Sequence, residues 1–119
     1  DGLEGLGLID DEAYARAFVR DRFAARGYGP ARLRQDLMRK GIARATLDAA
    51  LAELTEAEDL ADSATQQAAK KWRALASETD DRKRRKKTMD FLVRRGFGFD
   101  TARNAVDDVA EDEETWDDA

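Results

Sequence analysis

The side chains that could do chemistry in this sequence are mainly lysines and arginines. There are 21 of them among 119 residues, whereas histidine and cysteine do not occur. Histidine is the commonest general base, and both missing types serve as nucleophiles and as ligands of transition metals. The carboxylate pairs Asp10–Asp11 and Asp80–Asp81 stand at predicted helix starts, where helix capping explains them better than acid–base catalysis. The sequence therefore predicts a protein that is not an enzyme and that needs no metal or cofactor.

The basic residues occupy the middle of the chain, between two acidic ends. Residues 1–12 contain five acids and no base, and residues 107–119 contain eight acids and no base. The section between them has a net charge of +8, although the whole chain is at −5. Such a basic body could bind the phosphates of nucleic acid or the carboxylates of a protein surface. A second interpretation is that the charged groups are only solvated, while their stems cover a thin, alanine-rich core.

The bases are concentrated in two clusters. Residues 16–44 hold nine bases against two acids, and residues 70–73 and 82–87 form a second cluster that Arg94 and Arg95 extend. Most of these residues fall outside the apolar stripes of the predicted helices. They would therefore form exposed basic faces.

A turn–helix–turn over residues 26–42 organises the first cluster. Residues 27–29, with glycine at both ends, predict the turn. Pro30 fits the first turn of the following helix, because its missing N–H costs nothing there. Leu33 and Leu37 lie four residues apart on one face of this helix, which would pack against helices on either side.

The other patterns also predict helices, so the expected fold class is all-α. Alanine is abundant, β-branched residues are few, and the apolar residues recur at helical rather than alternating spacing. Helix starts are marked by the two aspartate pairs and by Thr55, which opens a capping-box arrangement. The predicted helices cover approximately residues 10–25, 30–40, 43–54, 55–75, 80–95 and 100–110.

The two halves of the chain form an internal repeat. Residues 37–42 (LMRKGI) match residues 92–97 (LVRRGF) at an offset of 55, and the similarity continues into the helix that follows each. Repetition of a supersecondary unit is typical of stacked arrays. We therefore predict two tandem three-helix repeats, at residues 10–54 and 55–110, in an elongated and curved arrangement.

The two ends of the chain are expected to lie outside these units. Residues 1–9, with a helix stop at Gly7, would be the end of a preceding three-helix repeat. Residues 111–119 are almost entirely acidic and are predicted to form a disordered tail. Trp116 in this tail could dock on the body or on a partner, or remain unbound.

Several motifs resemble the RecX family. Residues 7–19 (GLIDDEAYARAFV), 26–30 (RGYGP) and 37–42 are similar to its middle repeat, and residues 91–97 (FLVRRGF) are similar to the end of its last repeat. RecX proteins are bacterial regulators of the RecA recombinase and usually contain three three-helix repeats. The resemblance covers residues 7–109, which implies that most of the first repeat is absent here.

The resemblance implies a non-enzymatic inhibitor that binds the RecA filament on single-stranded DNA and represses ATP hydrolysis and strand exchange. Direct contact with single-stranded DNA is part of this expectation. A DNA-binding helical protein that does not need RecA, and an adaptor with merely solubilising charges, remain alternatives. Without cysteine, signal pattern or long apolar segment, the chain is expected to be a cytoplasmic monomer with no membrane partner. The expected contact residues are Arg20, Arg26, Arg32, Arg34, Arg39, Lys40, Lys70, Lys71, Arg82, Lys83, Arg84, Arg85, Lys86, Lys87, Arg94 and Arg95.

Overall fold

The chain is helical throughout a computed structural model that describes residues 2–54 and 57–118, with side chains described over residues 11–54 and 59–112. No strand occurs in the two described ranges, which confirms the all-α prediction. The molecule is elongated, with extents of 66 × 22 × 21 Å. The helices are α1 (Gly2–Arg26), α2 (Pro30–Arg39), α3 (Arg44–Ala52), α4 (Ala57–Ala74), α5 (Asp81–Arg94) and α6 (Phe99–Asp118).

Helices α1 to α3 form the first unit around one small core. Leu33 and Leu37 of α2 are fully buried, as their spacing predicts. They cluster with Phe18 of α1 and with Leu47 and Leu51 of α3. Each helix contributes only a few large apolar side chains, so the core is thin.

Helices α4 to α6 form the second unit in the same way. Leu92 of α5 and Ala102 of α6 are fully buried, and they match Leu37 and Leu47 in the repeat. Trp72 of α4 is also buried in this second core. The equivalent positions of the two units are therefore buried alike, as an internal repeat requires.

Two helices are longer than the sequence predicts. Helix α1 runs unbroken from Gly2, so the predicted stop at Gly7 and the predicted start at residues 10–11 are wrong. An isolated glycine costs a helix only about 1 kcal/mol, which neighbouring residues of better propensity offset. Helix α6 continues to Asp118 instead of ending near Ala110, because extending an existing helix avoids the cost of nucleation. The backbone predicted to be disordered is thus helical as far as that residue.

Some side chains lie elsewhere than expected. The helical spacing predicts Tyr14, Ala17 and Phe18 on the buried stripe of α1, but Tyr14 is 43% exposed, because Ala15, Phe18 and Val19 form that stripe and leave Tyr14 at its border. The capping box at Thr55 and the side chain of Trp116 lie outside the described residues. That residues 1–9 end a preceding repeat stays a prediction.

The two units meet where the turn before α2 contacts the turn after α5. The N–H of Gly29 donates to the carbonyl of Arg95 at 2.8 Å, and the N–H of Ala31 donates to the carbonyl of Gly96 at 3.0 Å. Gly29 is the N-cap of α2 and has no side chain to cap it, so these carbonyls satisfy N–H groups at the start of the helix. A Cβ atom on Gly29 would lie 2.5 Å from the carbonyl atoms of Gly96. We call this contact of Gly29, Ala31, Arg95 and Gly96 the unit joint.

Helix α5 begins differently from its counterpart α2. The carboxylate of Asp80 accepts hydrogen bonds from the backbone N–H groups of Arg82 and Lys83, at 3.0 and 3.3 Å. This confirms the predicted aspartate cap. The second unit therefore caps its middle helix with its own side chain, whereas the first unit uses the carbonyls of its neighbour.

Candidate polyanion-binding groove

A groove lined by cations crosses the boundary between the two units. Two adjoining cavities, of about 290 and 330 Å³, share Tyr28 and Arg32 and make one continuous surface. The first unit supplies most of the cations, and the second unit supplies two from the end of α5. We call this surface the basic groove; its cations are Arg22, Arg26, Arg32, Arg39, Lys40, Arg94 and Arg95.

Aromatic rings hold several of these cations in place. The guanidinium of Arg22 lies 4.6 Å from the ring centre of Phe18, and that of Arg32 lies 4.4 Å from the ring centre of Tyr28. Arg95 lies 5.5 Å from the ring of Tyr28 and 5.0 Å from the ring of Phe91, so it joins an aromatic residue of each unit. Stacking of this kind orients a guanidinium while leaving N–H groups at its edge for an anion.

One carboxylate lies among the cations that line the groove. The Asp36 side chain is 16% exposed and pairs with Arg32 at 3.4 Å and with Arg39 at 3.5 Å. A single negative charge cannot neutralise seven positive ones. The groove therefore has a positive electrostatic potential, which favours the binding of an extended polyanion.

The pKa of the Tyr28 hydroxyl is sensitive to this positive potential. A hydrogen bond with Arg26, together with the positive charges of Arg32, Arg26 and Arg95, lowers the pKa of Tyr28 below the ordinary value of 10.0. These interactions stabilise the ionised phenol. A bound polyanion would neutralise the same cations and remove part of their effect.

We expect Tyr28 to titrate at a lower pH than an unperturbed tyrosine. The ultraviolet absorbance of tyrosinate, followed against pH in a Tyr14→Phe background, measures this pKa. Substituting Arg26→Gln should raise the pKa, because it removes the largest cause of the shift. Saturating oligo(dT) should also raise it. A Tyr28 pKa that does not respond to oligo(dT) would contradict binding in the groove.

The structure brings some of the expected contact residues together and separates others. Arg26, Arg32, Arg39, Lys40, Arg94 and Arg95 all line the basic groove. Lys71 lies at its edge, 5.3 Å from the ring of Phe91. Arg34 pairs with Asp48 at 2.6 Å and lines a different cleft, between α2 and α3. Arg20 and Lys70 are exposed on α1 and α4, away from the residues that line the groove.

Within the run at residues 82–87, Arg84 is buried. It is only 9% exposed, lies 4.0 Å from the ring centre of Trp72 and donates to the Trp72 carbonyl at 2.7 Å. This burial disfavours a direct contact between Arg84 and a partner, and its role as a contact residue stays a prediction. A run of consecutive basic residues does not by itself indicate which of them points towards the core of the unit.

Three other bases of this run are paired with acids. Arg85 contacts Asp81 at 2.9 Å and Asp107 at 3.1 Å, and the hydrogen bond with Asp81 raises the pKa of Arg85. Lys86 contacts Asp90 and Lys87 contacts Glu78, each at 3.0 Å. The hydrogen bond from Lys87 lowers the pKa of the Glu78 carboxyl. The run thus carries much less uncompensated charge than its composition suggests. Arg82 and Lys83 are exposed.

The sequence prediction omitted Arg22, Tyr28 and Phe91. Phe18, Arg22 and Arg26 follow each other at intervals of four on α1, and this spacing was a usable signal for a common face. The meeting of Tyr28 with Phe91 depends on the unit joint. No local pattern predicts that contact.

Two further features of the structure concern function more broadly. Over the described residues, no helix is both long and apolar enough to cross a bilayer. Within the same part of the chain, no three histidine, cysteine, aspartate or glutamate side chains lie close enough to hold a metal ion.

Comparison with known proteins identifies similar sequences and folds. The family model described as "RecX, second three-helix domain" matches residues 10–51, and the one described as "RecX, third three-helix domain" matches residues 57–106. The "Regulatory protein RecX" of Chlorobium phaeobacteroides is 35% identical over 107 residues, covering 90% of this chain and 67% of the relative. The protein of the same name from Halorhodospira halophila is 37% identical over 115 residues, covering 94% and 68%.

Solved structures agree with these matches. A crystal structure titled "Crystal structure of regulatory protein RecX" is 34% identical, with a TM-score of 0.80, over 89% of this chain and 51% of the solved chain. A RecX structure from Lactobacillus salivarius has the same TM-score at 24% identity, which supports the fold alone. This chain spans about two thirds of the length of the two relatives named above and about half of the first solved chain.

Proposed function

This chain belongs to the RecX family, and on that premise we propose that it regulates the RecA recombinase without catalysing a reaction itself. It binds the RecA filament on single-stranded DNA through the basic groove and represses ATP hydrolysis and strand exchange. It works as a monomer in the cytoplasm and needs no cofactor. The observation that carries this proposal is the convergence of seven cations from both units on one groove, where the described lining residues include a single acid.

The groove supports contact with a polyanion, and the family supports RecA as the protein to be regulated. A nucleoprotein filament offers DNA phosphates together with carboxylates of protein, and arginine can bind either in a bidentate manner. The alternative is a DNA-binding protein that acts without RecA. The same positive groove favours that alternative, so the experiment must separate the two.

We expect this protein to inhibit ATP hydrolysis by RecA on single-stranded DNA at less than one molecule per RecA protomer. The measurement is a titration of hydrolysis rate at moderate salt, with binding to RecA-free DNA measured in parallel. A molecule bound to a filament could affect neighbouring RecA protomers as well as those that it contacts, so inhibition would not require one molecule per protomer. A strand-exchange assay under the same conditions tests the second activity.

The two candidate functions give different results in this experiment. Inhibition together with weak binding to bare DNA supports regulation of the filament. Tight binding to bare DNA that RecA does not change, with hydrolysis unaffected, contradicts it and supports the RecA-independent alternative.

A further inference from the structure

The basic groove is shared by two units that have separate cores. Leu33, Leu37 and Leu47 belong to the core of the first unit, whereas Trp72 and Leu92 belong to that of the second. Leu60, which is partly buried, packs against both. Each unit can therefore keep its own core if the angle between the units changes.

The unit joint sets the relative position of the two units next to the groove. Besides the hydrogen bonds of Gly29 and Ala31, the Arg95 guanidinium donates to the carbonyl of Arg26 at 2.6 Å. Gly27 lies against Gln67 of α4, where an added Cβ would be 2.2 Å from the amide nitrogen. These contacts bring Arg94 and Arg95 alongside the cations of the first unit.

We infer that the unit joint makes the basic groove a composite site, so that its affinity for an extended polyanion depends on the close approach of Gly29 and Gly96. Neither glycine contacts the ligand; both are positioning residues that permit the close approach of the units. The inference deepens the proposed function, on which it rests for the biological source of the polyanion.

The cations of the groove suit an extended polyanion. Six of the seven are arginines, and three of these stack on aromatic rings, which orients the guanidinium for bidentate contact with phosphate or carboxylate. They also continue from the end of α1, past Tyr28, to the end of α5, so a chain with one charge per residue along its whole length can meet them in turn. With Asp36 subtracted, six net charges give a slope of log K against log salt of about −4 for single-stranded DNA.

Gly29→Ala separates the role of the joint from the role of charge. The φ of −83° at Gly29 is open to alanine, so α2 itself can form, but the new Cβ would meet Gly96 at 2.5 Å. We expect affinity for fluorescent oligo(dT), measured by anisotropy without RecA, to fall about tenfold or more, because the second unit no longer adds its cations at high effective concentration. The radius of gyration in solution should rise above that of the unmodified protein.

Gly98→Ala is the matched control. Gly98 lies close to the joint in sequence, but a Cβ there meets no atom within 4 Å. It should bind oligo(dT) like the unmodified protein, and circular dichroism should show that both variants keep their helices. Unchanged affinity of the folded Gly29→Ala variant would overturn the inference, as would an equal loss in Gly98→Ala.

A second measurement decides the question even if Gly29→Ala fails to fold. Arg39→Gln in the first unit and Arg94→Gln in the second should each weaken binding to the same oligonucleotide, about threefold to tenfold, and each should make the salt slope shallower by about 0.7. An Arg94→Gln variant that binds and responds to salt like the unmodified protein contradicts a composite site.

Poly-glutamate provides a second polyanion for the same assay. If the joint dependence is found with neither oligo(dT) nor poly-glutamate, our inference is wrong. All these assays omit RecA, so failure of the inference is distinct from failure of the proposed function. The proposed function fails only if this protein leaves ATP hydrolysis by RecA unaffected.

Discussion

Replacing Arg39 and Arg94 together with glutamate should weaken binding to single-stranded DNA by about 100-fold and abolish inhibition of RecA at the concentrations where the unmodified protein acts. The two residues come from different units, line the basic groove and are exposed, so the fold should tolerate the change. Neither side chain forms the joint. The substitution turns two attractive contacts into two repulsive ones, and 100-fold corresponds to about 2.7 kcal/mol.

The matched control is the double variant Arg82→Glu and Lys83→Glu. It changes the net charge equally and lies on exposed residues of the same helix, α5. Residue 82 is separated from residue 94 by about 18 Å of helix, beyond the Debye length at physiological salt. Acids are also favourable in the first turn of a helix. We therefore expect at most a small loss of DNA binding and near-normal inhibition.

This pair of variants distinguishes a defined groove from diffuse attraction. Equal losses in both would mean that overall charge, not the groove, governs binding. A greater loss in the control would instead make residues 82–87 the principal contact. Anisotropy with oligo(dT) and a hydrolysis titration on the same preparations provide both readouts.

The helices and their cores could be predicted because they depend on local periodicity. Leu33 and Leu37 are four residues apart, and one such pair identifies the buried face of a short helix. The match of Leu37 with Leu92 then extends the same reasoning to the second unit. The ends of α1 and α6 could not be predicted as well, because a glycine or a run of acids alters helix stability by amounts that neighbouring residues can offset.

The groove could be predicted only in part because it depends on contacts between distant residues. Arg26, Arg32 and Arg39 belong to one basic stretch, and a shared surface follows from their helices. Their proximity to Arg94 depends on backbone hydrogen bonds from Gly29 to the turn at Arg95, which side-chain patterns do not encode.

Charge composition also fails to indicate which bases are free. In the run at residues 82–87, Arg85 meets acids on its own helix and on α6, and Lys87 reaches Glu78 in the preceding turn. These partners are four to twenty-two residues away. A count of lysines and arginines therefore overstates the number of basic side chains in this run that are free to bind a partner.

Replacing Arg84 with alanine should destabilise the protein by about 3 kcal/mol. The guanidinium donates to the Trp72 carbonyl at 3.2 and 2.7 Å and stacks on the Trp72 ring, so alanine removes both hydrogen bonds and uncovers a ring face, while the N–H of Leu75 still donates to that carbonyl at 3.1 Å. Urea unfolding, followed by Trp72 fluorescence in a Trp116→Phe background, measures the loss. Arg84→Lys should recover only part of it, because an ammonium lacks the planar fork. The exposed neighbour Arg82 should change stability little when replaced with alanine. If the two alanine variants were equally stable, Arg84 would not be a structural residue, and a role in partner contact would again be the better explanation of its charge.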